Sequence, residues 1–293
     1  MPSPSRRRES PSTIFRNTRS NNGIQRSALR AATDAERSVA RNSETMTKDE
    51  AISILQGPYG REIGNVASSY TAVFFWMTIA PTAEIGHGSI FFLECGSGTF
   101  AVTTNHVYEA YLERKQLDPS LTCQIGNIPF VPEARLIDRD PELDVATFRI
   151  EEREVEADAK VIHRVSPNNW PPKPPDLGKG VFFAGYPKVH RKVHHPKKVE
   201  WGTHVGVLTA TSIGERHIVC QYERDEMVDM FGTGTPPVGQ WLGGLSGAPL
   251  WTLVETGVFS WRLGGILYQF STEFEVLYAR RPDCILADGR LCR

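Results

Sequence analysis

The feature that most restricts how this chain can fold is a proline-rich stretch near its middle. Residues 165–178 read Val-Ser-Pro-Asn-Asn-Trp-Pro-Pro-Lys-Pro-Pro-Asp-Leu-Gly and hold five prolines. Proline lacks an amide hydrogen and fixes φ, so this stretch can be neither a helix nor a central strand. It predicts a stiff connector between two domains. On each side lie short runs rich in Val, Ile, Phe and Thr, broken by turn residues. The runs before it are 69–79, 88–94, 99–104, 121–125, 134–137 and 145–150; those after it are 180–184, 204–212, 217–222, 248–253, 261–270 and 274–279. Short strands at such spacing predict an all-β sandwich or barrel in each half, residues 46–164 and 179–293. One helical stretch, 108–115, interrupts the first set.

The folded body is expected to begin near Thr47. Thr-Lys-Asp-Glu (47–50) is a capping box ahead of Ala51, Ile52, Ile54 and Leu55, and Gly57-Pro58 should stop that helix. Residues 1–45 differ in kind, with nine arginines, no lysine and four acids, and they are rich in Ser and Asn. Little apolar surface is present to offset the entropy of ordering, so a disordered N-terminal tail is expected. Its composition also fits an organelle transit peptide.

Charge excludes some function classes. The whole chain carries a formal net charge of −1, which gives no general attraction to nucleic acid or to an anionic membrane. The most apolar window, 72–80, is too short to cross a bilayer as a helix and is followed by Pro81. Five cysteines at irregular spacing, with no CxxC pair, argue against a disulfide framework and a zinc site. No signal peptide is visible, and a reducing, cytoplasmic setting is expected. No metal or cofactor is expected. The basic stretch Lys188–Lys198, with His190, His194 and His195, reads as a solvated loop or a contact for an acidic partner.

Three segments carry candidate chemistry. Phe-Ala-Val-Thr-Thr-Asn-His-Val (100–107) runs a strand into His106. Glu-Leu-Asp-Val-Ala-Thr-Phe (142–148) puts Asp144 at a strand start. Gly-Gly-Leu-Ser-Gly-Ala-Pro-Leu-Trp (243–251) puts Ser246 in a glycine-rich turn before a strand. Each alone is common; together they give the order His, Asp, Ser, the order of one of the known serine-hydrolase folds. A serine hydroxyl needs a base to take its proton, and a histidine base needs an acid to fix its tautomer. Glycines permit the dihedrals that aim neighbouring N–H groups at one point.

On these motifs the sequence resembles the trypsin/chymotrypsin-like serine peptidases, in the style of HtrA-type enzymes but with no PDZ segment following. Thr-Thr-Asn-His-Val, Leu-Asp-Val-Ala and Gly-Leu-Ser-Gly-Ala-Pro-Leu match that family's histidine, aspartate and serine motifs. Gly86-His87-Gly88-Ser89, Gly180–Pro187 and Gly265-Ile266-Leu267 are supporting matches. The resemblance implies two antiparallel six-stranded β-barrels with the site between them. It implies a serine endopeptidase with a His106, Asp144, Ser246 triad, an oxyanion hole from the N–H groups of Gly244 and Ser246, and a protein or peptide as substrate. Counting back from the serine puts the pocket base at Gln240, with Tyr268 and Phe270 on the walls; no acid there means no call for Arg or Lys in the substrate. Two departures stand out. Ala248 replaces a glycine, and Leu245 precedes the serine where digestive members carry an acid, so activation by a buried ammonium is chemically unavailable. A catalytically inactive binding module on this fold, or an esterase-like or self-processing hydrolase, are the competing readings.

Overall fold

Gly57 and Pro58 break the first helix, and the same proline starts another. In the computed structural model, which describes residues 47–78, 84–195, 198–232, 234–255 and 259–293, α1 spans Lys48–Gln56 and α2 spans Pro58–Ser69. Proline suits a first helical turn, because the amide it lacks would have no partner inside the helix. The inward face of α2 is Gly60, Ile63, Gly64 and Ala67. Gly57-Pro58 reads in the sequence as a helix stop, which hides the helix that the same proline starts. The expectation for residues 1–45 lies outside the described residues.

The first half forms one eight-stranded sheet. Its strands are β1 Thr71–Met77, β2 Ile85–Glu94, β3 Thr99–Thr103, β4 Thr122–Ile125, β5 Ile128–Pro129, β6 Leu136–Asp140, β7 Val145–Arg149 and β8 His163–Arg164. The order is β5-β4-β1-β2-β3-β7-β6, with β8 pairing parallel to β2. Helix α3, Asn105–Leu117, follows β3; the short helices α4, Pro132–Arg135, and α5, Glu152–Ala157, flank β6 and β7. The strand order is a path from β5 to β6, and the first of the two expected barrels is not confirmed. Proline marks the β5 end: Pro129 lies in the two-residue β5 and Pro132 opens α4. Neither can donate to a further ladder.

The second half closes. Strands β9 Gly180–Gly185, β12 His204–Ile213, β13 His217–Gln221, β14 Pro249–Glu255, β15 Phe259–Ser271 and β16 Val276–Arg280 form a barrel in the order β12-β13-β16-β15-β14-β9. Closure leaves no edge exposed among them. Between β9 and β12, the basic stretch expected as a loop is a hairpin of β10 Arg191–His195 and β11 Lys198–Trp201.

The two halves share a core. Phe91, Leu93 and Phe100 from the sheet cluster with Phe182, Trp251 and Ile266 from the barrel. Burying each such side chain contributes about 1.5–3 kcal/mol, and here that burial needs both halves. The proline-rich connector is fastened as well. The Trp170 indole N–H donates to the Ile285 carbonyl at 2.8 Å, and Arg262 Nε donates to the Lys173 carbonyl at 3.0 Å. Asp49–Arg293 accordingly form one compact unit. All five cysteines are free thiols; Cys95, Cys123, Cys220 and Cys284 are buried and Cys292 is exposed. Among the described residues, no helix is long and apolar enough to cross a membrane.

Candidate active site

His106 is the second residue of α3, where a helix has amide groups without partners inside the helix. One carboxylate fills both of its needs. The backbone N–H of His106 donates to Asp144 Oδ1 at 2.9 Å, and the ring Nδ1 lies 2.8 Å from Asp144 Oδ2. An ionised carboxylate only accepts, so Nδ1 carries the hydrogen and Nε2 is left free to accept a proton. Asp144 sits in the turn before β7 with φ 54°, a left-handed position that Asp tolerates better than most residues. The side chain of His106 is 47% exposed and that of Asp144 18%: the acid is sheltered and the base is open to a ligand.

Ser246 lies in a turn that only glycine can build. Gly244 and Gly247 have φ 103° and 90°. A Cβ on Gly244 would overlap His87 and the Tyr186 carbonyl, and one on Gly247 would overlap the Ser89 carbonyl and Thr103. The turn is tied by Gly247 N–H to the Leu267 carbonyl at 2.7 Å and by Ala248 N–H to the Leu245 carbonyl at 2.9 Å. Among the described residues, the N–H groups of Gly244 and Ser246 have no hydrogen-bond partner. Leu245 and Ala248 are buried in the barrel core, so packing holds the turn where the resemblance would place an acid. The Ser246 hydroxyl donates to the Tyr268 carbonyl at 3.3 Å and makes no hydrogen bond to His106. His106 and Ser246 nevertheless line the same two cavities.

Each half of the unit fastens the other half's turn. Ser89 of β2 is fully buried; its hydroxyl donates to the Gly244 carbonyl at 2.8 Å and its N–H donates to the Ser246 carbonyl at 2.8 Å. The same hydroxyl accepts from the Tyr186 N–H at 3.2 Å. In return, Arg280 of β16 donates from Nε to the Leu143 carbonyl at 2.7 Å and from Nη2 to the Glu142 carbonyl at 3.1 Å. Those carbonyls belong to the turn that carries Asp144. Sequence reasoning found Ser89 only as a motif neighbour and missed Arg280, because both act through contacts distant in sequence.

One cavity of about 140 Å³ borders Ser246 and is lined by Leu242, Leu245, Leu267, Tyr268, Phe270 and Leu277, among others. Tyr268 and Phe270, both named from the sequence, are among its lining residues. Gln240 does not line it; that residue is exposed, and its carbonyl accepts from Arg224 Nη2 at 2.6 Å. Trp241 and Leu242 line the cavity instead.

No family model matches the chain, and no curated protein matches it. Among solved structures, it is similar to a serine endoprotease from Yersinia pestis, at 15% identity and a TM-score of 0.44, covering 75% of this chain and 61% of the other. The chain thus spans 61% of the length of that structure. It is also similar to a protease from M. tuberculosis in its active form, at 14% identity and a TM-score of 0.35, covering 77% of this chain and 82% of the other. Both neighbours are proteases, but the likeness is loose, and the case for chemistry rests on the residues above.

Proposed function

We propose that the chain is a serine endopeptidase of the chymotrypsin-like type, cleaving protein or peptide substrates through an acyl-enzyme on Ser246. The observation that carries this reading is His106, paired with Asp144, lining the same two cavities as Ser246. His106 Nε2 takes the serine proton during attack and returns it to the leaving amine. Asp144 holds the tautomer and stabilises the imidazolium. The unpartnered N–H groups of Gly244 and Ser246 receive the developing oxyanion. The serine hydroxyl must turn from the Tyr268 carbonyl towards His106; catalytic hydrogen bonds often tighten only with substrate in place. The leucine-lined cavity accepts a medium, apolar side chain on the acyl side.

The experiment is exposure of the chain to a random peptide mixture. The expected result is cleavage after apolar residues, blocked by a serine-directed covalent inhibitor; cleavage insensitive to that inhibitor, or none, contradicts the reading. A second expected outcome concerns the turn. Gly244→Ala should cost about 10²–10³-fold in turnover, the scale of losing an oxyanion donor, because the added methyl displaces the turn from His87 and Tyr186. Steady-state kinetics on a cleaved peptide checks it; wild-type turnover would remove Gly244 from the oxyanion site.

A further inference from the structure

A second cavity, of about 260 Å³, shares His106 and Ser246 with the first but has different walls. Trp76 and Trp241 face it, with Val107 and Ala110 of α3 and two cations, Lys188 and Arg191. Both cations come from the basic stretch that the hydrolase reading leaves unused. Lys188 is tied to the serine turn, since its N–H donates to the Gly243 carbonyl at 2.7 Å. Arg191 is held over β2, donating from Nη1 to the Ile85 carbonyl at 2.8 Å and approaching His87 Nδ1 at 3.4 Å.

Among the described residues, neither cation has a carboxylate partner. The acids flanking this region are already engaged. Glu84 binds Arg114 at 2.6 Å, and Glu200 binds His194 at 2.8 Å and Lys192 at 3.5 Å. His87 does not supply a counter-charge. Its burial, which outweighs the bond to the Tyr186 carbonyl, pushes its pKa down to about 4, and the Arg191 and Lys188 charges add to that. It is neutral at physiological pH. A part-buried guanidinium without a counter-ion is costly, and an anion entering the cavity relieves that cost.

A peptide bond held at Ser246 sends its acyl side into the leucine-lined cavity. Its amine side then faces the second cavity, beside the His106 ring that protonates it. We propose that this second cavity receives the leaving-group side of the peptide, and that Lys188 and Arg191 select a carboxylate there. The tryptophans favour an apolar or aromatic neighbour to that carboxylate. This rests on the hydrolase reading and adds the substrate class to it: peptides acidic just after the cleaved bond.

The test uses quenched fluorescent peptides of one sequence, C-terminally amidated, with Glu, Gln or Lys just after the cleaved bond. A fourth peptide carries Gln and a free C-terminus, which separates a terminal carboxylate from a side-chain one. The Glu peptide, or the free-terminus peptide, should exceed the Lys peptide by about tenfold or more in kcat/KM, the size of a close charge contrast in a partly dry site. Lys188→Glu changes an exposed side chain and should bring that ratio to about one or below, by reversing the sign of the field. A wild-type ratio near one, or a ratio untouched by Lys188→Glu, overturns the proposal. The same contrast is read as binding of the peptides to Ser246→Ala protein by fluorescence anisotropy. If hydrolysis is absent but the acidic peptide binds selectively, the hydrolase reading falls and the carboxylate site stands.

Discussion

Ser246→Ala is expected to lower peptide turnover by about 10⁴–10⁶-fold, because the proposed triad would act as a unit and the proposed nucleophile has no substitute. Folding should survive. The hydroxyl makes one hydrogen bond, to the Tyr268 carbonyl at 3.3 Å, and such a bond contributes about 0.5–1.5 kcal/mol net. The turn itself is held by Ser89, Leu245 and Ala248, which the substitution leaves untouched. The checking measurement is kcat/KM beside the melting temperature of the same preparation. Undiminished turnover in a folded variant would remove Ser246 from the mechanism.

Asp144→Asn should cost about 10⁴-fold in turnover, with the fold retained, because it presents the wrong tautomer to the serine. The asparagine carbonyl can still accept from the His106 N–H, which Asp144 Oδ1 now does at 2.9 Å. The start of α3 is therefore preserved. The asparagine amide, however, is a donor, and it faces ring Nδ1 where Asp144 Oδ2 now lies at 2.8 Å. The ring responds by carrying its hydrogen on Nε2, where it can no longer take the serine proton. Circular dichroism should match wild type while steady-state turnover collapses. A loss of only a few-fold would show that Asp144 serves α3 rather than catalysis.

The barrel was the most legible part of the fold in the sequence. Its six strands follow β-branched and aromatic runs bounded by Gly and Pro, and each lies within a few residues of its expected place. The first half was less legible. Its strands run as a path from β5 to β6, and the first of the two expected barrels is not confirmed. Helix α2 escaped because Gly57-Pro58 reads as the end of α1, although Pro58 also suits the first turn of a new helix. The hairpin of β10 and β11 was hidden by its charge, since lysine and histidine carry little strand signal. At the candidate site, His106, Asp144 and Ser246 stand out as candidates in the sequence because each sits in a local pattern of strand end, turn or glycine. Ser89 and Arg280 could not, since their partners lie 155 and 137 residues away. Gln240 is exposed and does not line the cavity beside Ser246; it follows Gly239, which has φ 75°.

The central claim is that Ser246 is a nucleophile activated by His106. Incubation of the intact chain with a fluorophosphonate, followed by peptide mapping, tests it most directly. The account predicts a single covalent adduct, on Ser246, formed without prior proteolysis, because Leu245, just before the serine, cannot pair with a new N-terminal ammonium. It also predicts that His106→Ala nearly abolishes the adduct. An unlabelled chain, an adduct on another residue, or equal labelling of His106→Ala would contradict it.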